Sequence, residues 1–201
     1  MRRKCFSSAR HSERGQSLIE TALILPVLLL LTFNAINFGY FFFVAVNLAA
    51  APRSGVQYSI LGFATPSQFT LPQPGPIGSS CPTAVSNSSL YVCTLTYHDM
   101  AGVLTGYSNA TVQVCSSVVG VVNPGSSSMR SDCIKYGSAT TTYTPASDPE
   151  APLFILDRVD VVYTLTPLIP SFVLPTPAGP ISLALLPSLN MHRQVSMREM
   201  N

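Results

Sequence analysis

The sequence has little charge. Asp, Glu, Lys and Arg make up only 10% of its 201 residues. That is low for a cytosolic domain, so Ser, Thr, Asn and Gln must supply most of any water-facing surface. Between Glu20 and Arg53 charge is missing altogether, over 32 consecutive positions. The usual catalytic signatures are missing too: there is no Gly-x-Ser-x-Gly, no phosphate-binding loop and no His-Glu-x-x-His. No Cys-x-x-Cys pair exists and no His stands at ligand spacing, which argues against zinc. Asp157 and Asp160 offer too few oxygens for calcium and read as polar residues at a strand edge. His98-Asp99 is the best acid–base pair available. Its surroundings read as a strand, where sequence neighbours face opposite sides. The expectation is a protein that is not an enzyme and carries no cofactor and no metal. No internal repeat is present.

What charge there is lies unevenly. The net charge of +2 combines a leader, residues 1–15, holding Arg2, Arg3, Lys4, Arg10 and Arg14 against Glu13 alone, with a region from Ser54 onward that has five basic groups and seven acids. A nucleic-acid binder would want its folded domain basic, so no nucleic-acid partner is expected. The leader reads instead as a topology signal, because a positive flank stays on the cytoplasmic side of a membrane. The apolar run behind it exceeds the ~20 residues that span a bilayer as a helix. It is also too long and too apolar to follow a mitochondrial presequence.

Glu20 stands at the mouth of this run. A carboxylate there is costly, on the order of 2.5–3.5 kcal/mol at the centre of a membrane helix and less near the interface. It needs a partner, and the spacing Gly15-Gln16-x-x-x-Glu20 supplies one if the chain is cut after Gly15. The new α-amino group of Gln16 would then neighbour the Glu20 carboxylate, in the same subunit or across to the next, where a low-dielectric bundle screens the pair weakly. An acid in the first turn also complements the helix dipole.

A Gly followed by a Glu five residues later, at the head of an apolar helix behind a basic leader, resembles the class III signal of type IV pilin-like proteins. The fuller stretch Arg14-Gly15-Gln16-Ser17-Leu18-Ile19-Glu20-Thr21-Ala22-Leu23-Ile24-Leu25-Pro26 resembles the opening of TadE-like pseudopilins of the tight-adherence pilus. Phe38-Gly39-Tyr40 and Ala50-Ala51-Pro52-Arg53-Ser54-Gly55 resemble that family's helix exit, with Pro52 intruding, and Ser196-Met197-Arg198-Glu199 resembles its C-terminal end. The resemblance is good over residues 14–60, weak at the C-terminus and absent between. It implies cleavage between Gly15 and Gln16 by a prepilin peptidase, methylation of Gln16, and an assembly role for Glu20. It implies as partners other pilins or pseudopilins, an inner-membrane pilus assembly platform and the lipid bilayer. The implied place is the bacterial inner membrane, single-pass, with a cytoplasmic N-terminus and an extracytoplasmic C-terminal domain. Two other readings compete. One is a single-pass envelope-anchored binding domain unrelated to pili; the other is a domain secreted by cleavage near Ala49-Ala50-Ala51.

Cys5 lies in the leader, whereas Cys81, Cys93, Cys115 and Cys133 follow the apolar run. An even set in an oxidising space suggests two disulfides. The sequential pairing, Cys81–Cys93 with Cys115–Cys133, is preferred. The nested pairing, Cys81–Cys133 with Cys93–Cys115, competes if Cys93 and Cys115 lie on adjacent strands.

The expected fold class is α+β, a long N-terminal transmembrane helix followed by a small antiparallel β-sheet (pilin-like) ectodomain with long Pro/Ser/Thr-rich loops. Three regions follow: 1–15, the leader, without regular structure; 16–61, the transmembrane and extended helix; and 62–201, the extracytoplasmic disulfide-containing β-rich domain. Pro26 should kink the helix. Asn34 and Asn37, three apart, share a face and suit interhelical hydrogen bonds or simply tolerated polarity. Tyr40 to Phe43 suit the outer interface. Prolines and glycines make 62–88 a loop. Strands are expected at 90–97, at 110–115 with a continuation to 122, at 158–166, at 181–186 and in the closing run 192–200. The span 123–152 reads as polar and turn-rich. The sheet should pack on the outer half of the helix, burying its apolar stripe.

Overall fold

The computed structural model describes residues 13–61, 81, 88–103, 109–137, 140–170, 172–176, 179–183 and 186–199. The first element, α1, runs from Glu13 to Ile60, 48 residues, or about 72 Å at 1.5 Å per residue. It begins three residues before Gln16, so the end of the leader is helical rather than irregular. It passes through Pro26 and Pro52 as one continuous helix. Each proline removes one backbone donor, which leaves the carbonyls of Ala22 and Leu48 without their usual helical partner. The helix ends at Ile60, one residue short of the expected end at 61.

The remaining elements are α2 (Ser88–Met100), β1 (Ala110–Val122), β2 (Arg130–Tyr136), β3 (Ile155–Leu165), β4 (Phe172–Thr176), β5 (Gly179–Leu183) and β6 (Leu189–Glu199). They form an antiparallel four-stranded sheet of order β2-β1-β3-β6 and a separate hairpin, β4-β5. The chain divides into two compact units. One is Met1–Gly39 with Leu168–Leu186; the other is Tyr40–Pro167 with Pro187–Asn201.

The second unit holds the core. In strand β3 the odd positions Asp157, Val159, Val161, Tyr163 and Leu165 are all buried on one face. Cross-strand register sets Ala110, Val112 and Val114 of β1 beside Tyr163, Val161 and Val159. The same register sets Met191 and Val195 of β6 beside Tyr163 and Val159. Against this face pack Val44, Leu48, Ala51 and Val56 of α1 and Val92, Tyr97 and Met100 of α2. The expected burial of the outer helix stripe under the sheet is therefore what the structure has. Gly55 marks the tightest approach. A Cβ there would overlap Thr96 Oγ1 and lie 3.3 Å from Val92 Cγ1 and 3.6 Å from Val159 Cγ1.

Two expectations need correction. Residues 90–97 form part of helix α2, not a strand. Their composition is β-like, but the buried positions Val92, Cys93, Thr96, Tyr97 and Met100 repeat at three to four residues, the helical period. Thr96 also returns its hydroxyl to the Val92 carbonyl at 2.8 Å. The second correction is β2, hidden in the polar span 123–152. Arg130, Asp132 and Lys135 made it look like loop, yet it is an edge strand, where charged side chains are the usual protection against stray pairing. Its turn with β1 uses Asn123 and Gly125, both at positive φ, 59° and 83°. The strand expected at 181–186 is the hairpin arm β5, and Phe172–Thr176 supplies its partner. Of the loop expected at 62–88, residues 62–80 and 82–87 lie outside the described residues.

Candidate functional site

The head of α1 is built from its sequence spacing. Residues four apart on a helix are neighbours one turn up, so Gln16 and Glu20 share a face. The Gln16 Nε2 donates to Glu20 Oε1 at 3.3 Å. Gly15 precedes them on an open flank, where a Cβ would meet no atom within 4 Å. Beyond Gln16, Ser17 and Thr21 the surface around and past Glu20 is apolar: Leu18 is 72% exposed and Leu23 71%, with Ile19, Ile24, Leu25 and Val27 alike in kind. A helix that is apolar all round and unburied suits a membrane rather than water. Among the described residues α1 is the one helix long and apolar enough to cross a bilayer, which fits a single-pass anchor. The rest of the leader, residues 1–12 with Cys5, lies outside the described residues.

The three asparagines of α1 are each hydrogen-bonded. Asn34 and Asn47 donate to Leu30 and Phe43 carbonyls of their own helix, at 2.9 and 2.8 Å. Asn37 is different: it is 1% exposed. Its Nδ2 donates to the Ile169 carbonyl at 3.3 Å, and its Oδ1 accepts from the Ile169 N–H at 3.0 Å. Asn34 and Asn37 thus share a spacing but not a role.

The four cysteines form Cys81–Cys93 and Cys115–Cys133, the sequential pairing. Cys93 lies on α2 and Cys115 on β1, so the condition that would have favoured the nested pairing does not arise. Cys115 and Cys133 face each other directly across β1 and β2.

Three polar clusters in and beside the sheet were not legible as such. Asp157 and Asp160 are fully buried on the inner strand β3, a correction to their reading as strand-edge residues. Asp157 accepts from Ser59 Oγ at 2.5 Å, Ser117 N at 3.2 Å and Ser131 Oγ at 3.3 Å. Glu199, also buried, accepts from Ser117 Oγ. Burial pushes the Asp157 carboxyl up to about 6, with the Ser59 hydrogen bond opposing and the Glu199 charge adding to the rise. On the other face Asp160 accepts two bonds from Arg158, both 2.7 Å, and meets His192 Nε2 at 2.7 Å. The Tyr143 ring stacks on His192 at 3.9 Å between centroids. Gln113 bonds the Tyr143 backbone at both its N–H and its carbonyl. Arg198 grips Asp148 with two bonds, 2.7 and 3.1 Å, and reaches Glu150 at 3.0 Å. The only signal for these clusters was alternation in β3, which places odd residues on one face and even residues on the other. His98 and Asp99 sit exposed at the end of α2, 3.8 Å apart.

No curated protein and no solved structure matches this chain. A protein-family model does match, over residues 15–57. That segment lies wholly within α1 and contains Gly15, Glu20 and Gly55; it is similar to the family described as TadE-like protein, the one the Arg-Gly opening resembles.

Proposed function

We propose that this chain is a structural pseudopilin, a non-catalytic subunit that takes part in assembling a tight-adherence pilus or in forming its tip. In this reading a prepilin peptidase removes residues 1–15, α1 holds the subunit in the inner membrane with its C-terminal domain outside, and Glu20 guides it into contact with other pilins and the assembly platform. The observation that carries the reading is the pairing at the helix head. Glu20 stands on a lipid-suited surface with only the Gln16 amide beside it among the described residues. A cut after Gly15 would replace the upstream turn with an α-ammonium group on Gln16, able to neutralise Glu20 in its own or a neighbouring subunit. The match to TadE-like proteins over 15–57 supports the same reading.

Secretion by cleavage near Ala49-Ala50-Ala51 is disfavoured by the core. Val44 and Leu48 are fully buried among residues of the sheet and α2, and such a cut would remove both.

Mass analysis of the native N-terminus tests the proposal. The expected mature chain begins at Gln16, with or without a methyl group. Gly15→Val should block processing while leaving the protein in the membrane fraction. A native chain still beginning at Met1, or a normally sized mature band in the Gly15→Val protein, would overturn the cleavage step.

A further inference from the structure

From Val161 to His192 the sequence has no Asp, Glu, Lys or Arg. This second uncharged stretch contains the β4-β5 hairpin, and the hairpin groups with the first part of α1 in one compact unit. The tie is Asn37, whose carboxamide satisfies both backbone groups of Ile169. The geometry points to a second membrane contact: we propose that the β4-β5 hairpin and the run Leu168–Pro170 ahead of it lie in the outer lipid–water interface, with the Leu168 and Val173 side chains against lipid.

The helix sets the depth. Asn37 lies 17 residues beyond Glu20, about 26 Å along the axis, close to the ~30 Å hydrocarbon thickness of a bilayer. With Glu20 at one boundary, Asn37 therefore reaches the other, and its two bonds to Ile169 hold the hairpin segment at that level. The surfaces are continuous in character. Ile36 and Phe38 beside Asn37 are exposed on α1, and Leu168 and Val173 are 57% and 61% exposed on the hairpin segment. An isolated two-stranded hairpin is marginal in water, and exposed apolar side chains of this kind ask for a cover.

The backbone decides between lying in the interface and entering the hydrocarbon. A two-stranded hairpin has two open edges, and unsatisfied N–H and C=O groups are not tolerated in the bilayer core. At headgroup level water remains available to them. Proline lowers the number of donors left over: Pro175 and Pro180 are register partners in the hairpin, and neither has an N–H. Without charge, the segment also has no group that must be held out in bulk water.

The proposal rests on α1 spanning a bilayer, and does not depend on cleavage after Gly15. The protein has no tryptophan, so a single one introduced at will reports alone. The full chain carrying Val173→Trp would be reconstituted into dioleoylphosphatidylcholine vesicles. Brominated phosphatidylcholines, with bromine near the glycerol backbone or near the bilayer centre, and aqueous iodide serve as quenchers. The expected result is loss of roughly half the emission with shallow bromine, less loss with deep bromine, and weak quenching by iodide, as for a side chain at the interface. Leu168→Trp should repeat it. Leu30→Trp, on the exposed surface of α1, should respond most to deep bromine. If Leu30→Trp responds and neither hairpin tryptophan does, the hairpin proposal is overturned: iodide access would mean water around it, and protection from both quenchers a protein cover such as a second copy. If Leu30→Trp is itself unquenched by lipid, the span and the hairpin contact both fail.

Discussion

Single residues carry the polar logic of this chain. Glu20 and Asp157 are both carboxylates in unfavourable surroundings, and each is handled differently. Glu20 sits on an exposed apolar helix with an amide beside it; Asp157 is enclosed by three serine-borne donors and faces Glu199. In a bundle of such helices Glu20 gains from any cationic neighbour. Glu20→Ala should therefore still be cut after Gly15, yet fall at least tenfold in the sheared filament fraction, the ratio for about 1.4 kcal/mol. Recovery at the wild-type level would count against the pairing. Asp157 gives a pH prediction. Its folded-state value, about 6, lies above the ordinary 3.8, so between these values the folded chain holds a proton that the unfolded chain releases. Stability then falls as pH rises from about 4 to about 6 and is flat above, with a contribution of about 3 kcal/mol at most. Thermal midpoints in one detergent from pH 4 to pH 7 should show this decline in the wild type and a shallower one in Asp157→Asn. Equal slopes would remove Asp157 as its source. Two carboxamides, Asn37 and Gln113, each bond both backbone groups of one distant residue, Ile169 and Tyr143. No local pattern announces such partners, because they lie 132 and 30 positions away.

At the scale of elements, α1 was legible and α2 was not. The apolar run without charge dictates a helix, since in lipid only a helix or a closed barrel satisfies its own backbone. Residues 90–97 are rich in β-branched and aromatic types, so propensity pointed to a strand. Tertiary packing against Gly55 and the core side of β1 overrode it, with Tyr97 donating to the Ala110 carbonyl at 2.7 Å. Gly55 is where the two helices meet. Gly55→Ala should gain up to about 1 kcal/mol of helix propensity, but it forces Thr96 Oγ1 away from both the new methyl group and the Val92 carbonyl. Overpacking of this sort costs about 1–3 kcal/mol, so the net effect should be a lower thermal midpoint. Thr96→Ala in the same chain should restore part of it, a coupling that a double-mutant cycle reads directly. An unchanged midpoint in Gly55→Ala would show that the helices are not so close. Strand β2 escaped notice for the opposite reason: its charges belong to an edge, and edge status is a property of the sheet rather than of the segment.

The whole molecule places one helix in two environments. From Gly15 to Thr32 the helix is exposed all round; from Val44 onward one stripe is fully buried under the sheet. The folded domain therefore begins inside α1 and well before the loop that follows it. A chain beginning at Tyr40 retains Val44, Leu48, Ala51 and Val56 and should unfold cooperatively in urea. One beginning at Pro52 loses the first three. At about 1.5–3 kcal/mol for each large aliphatic side chain, the loss of Val44 and Leu48 alone is roughly 3–6 kcal/mol, against a typical total of about 5–15. Equal urea midpoints for the two chains would show that the helix is only a tether. The C-terminus closes the same domain: Arg198 grips Asp148 and Glu150, and Glu199 turns inward beside Ser117. The Ser196-Met197-Arg198-Glu199 ending thus has a structural position at each charged residue.

By itself the sequence determined the long apolar helix, the head spacing of Gly15, Gln16 and Glu20, the strand through Arg158–Leu165, and the even set of cysteines. Each is a local pattern, set by bilayer thickness, by helical or pleated periodicity, or by counting. Tertiary structure alone decided that α2 is a helix, that Asp157 and Asp160 are enclosed, that Cys115 faces Cys133, and that Asn37 holds Ile169. Those depend on which strands become neighbours and which polar groups meet once water is removed, and a buried polar atom takes its partner from whatever the fold brings within about 3 Å.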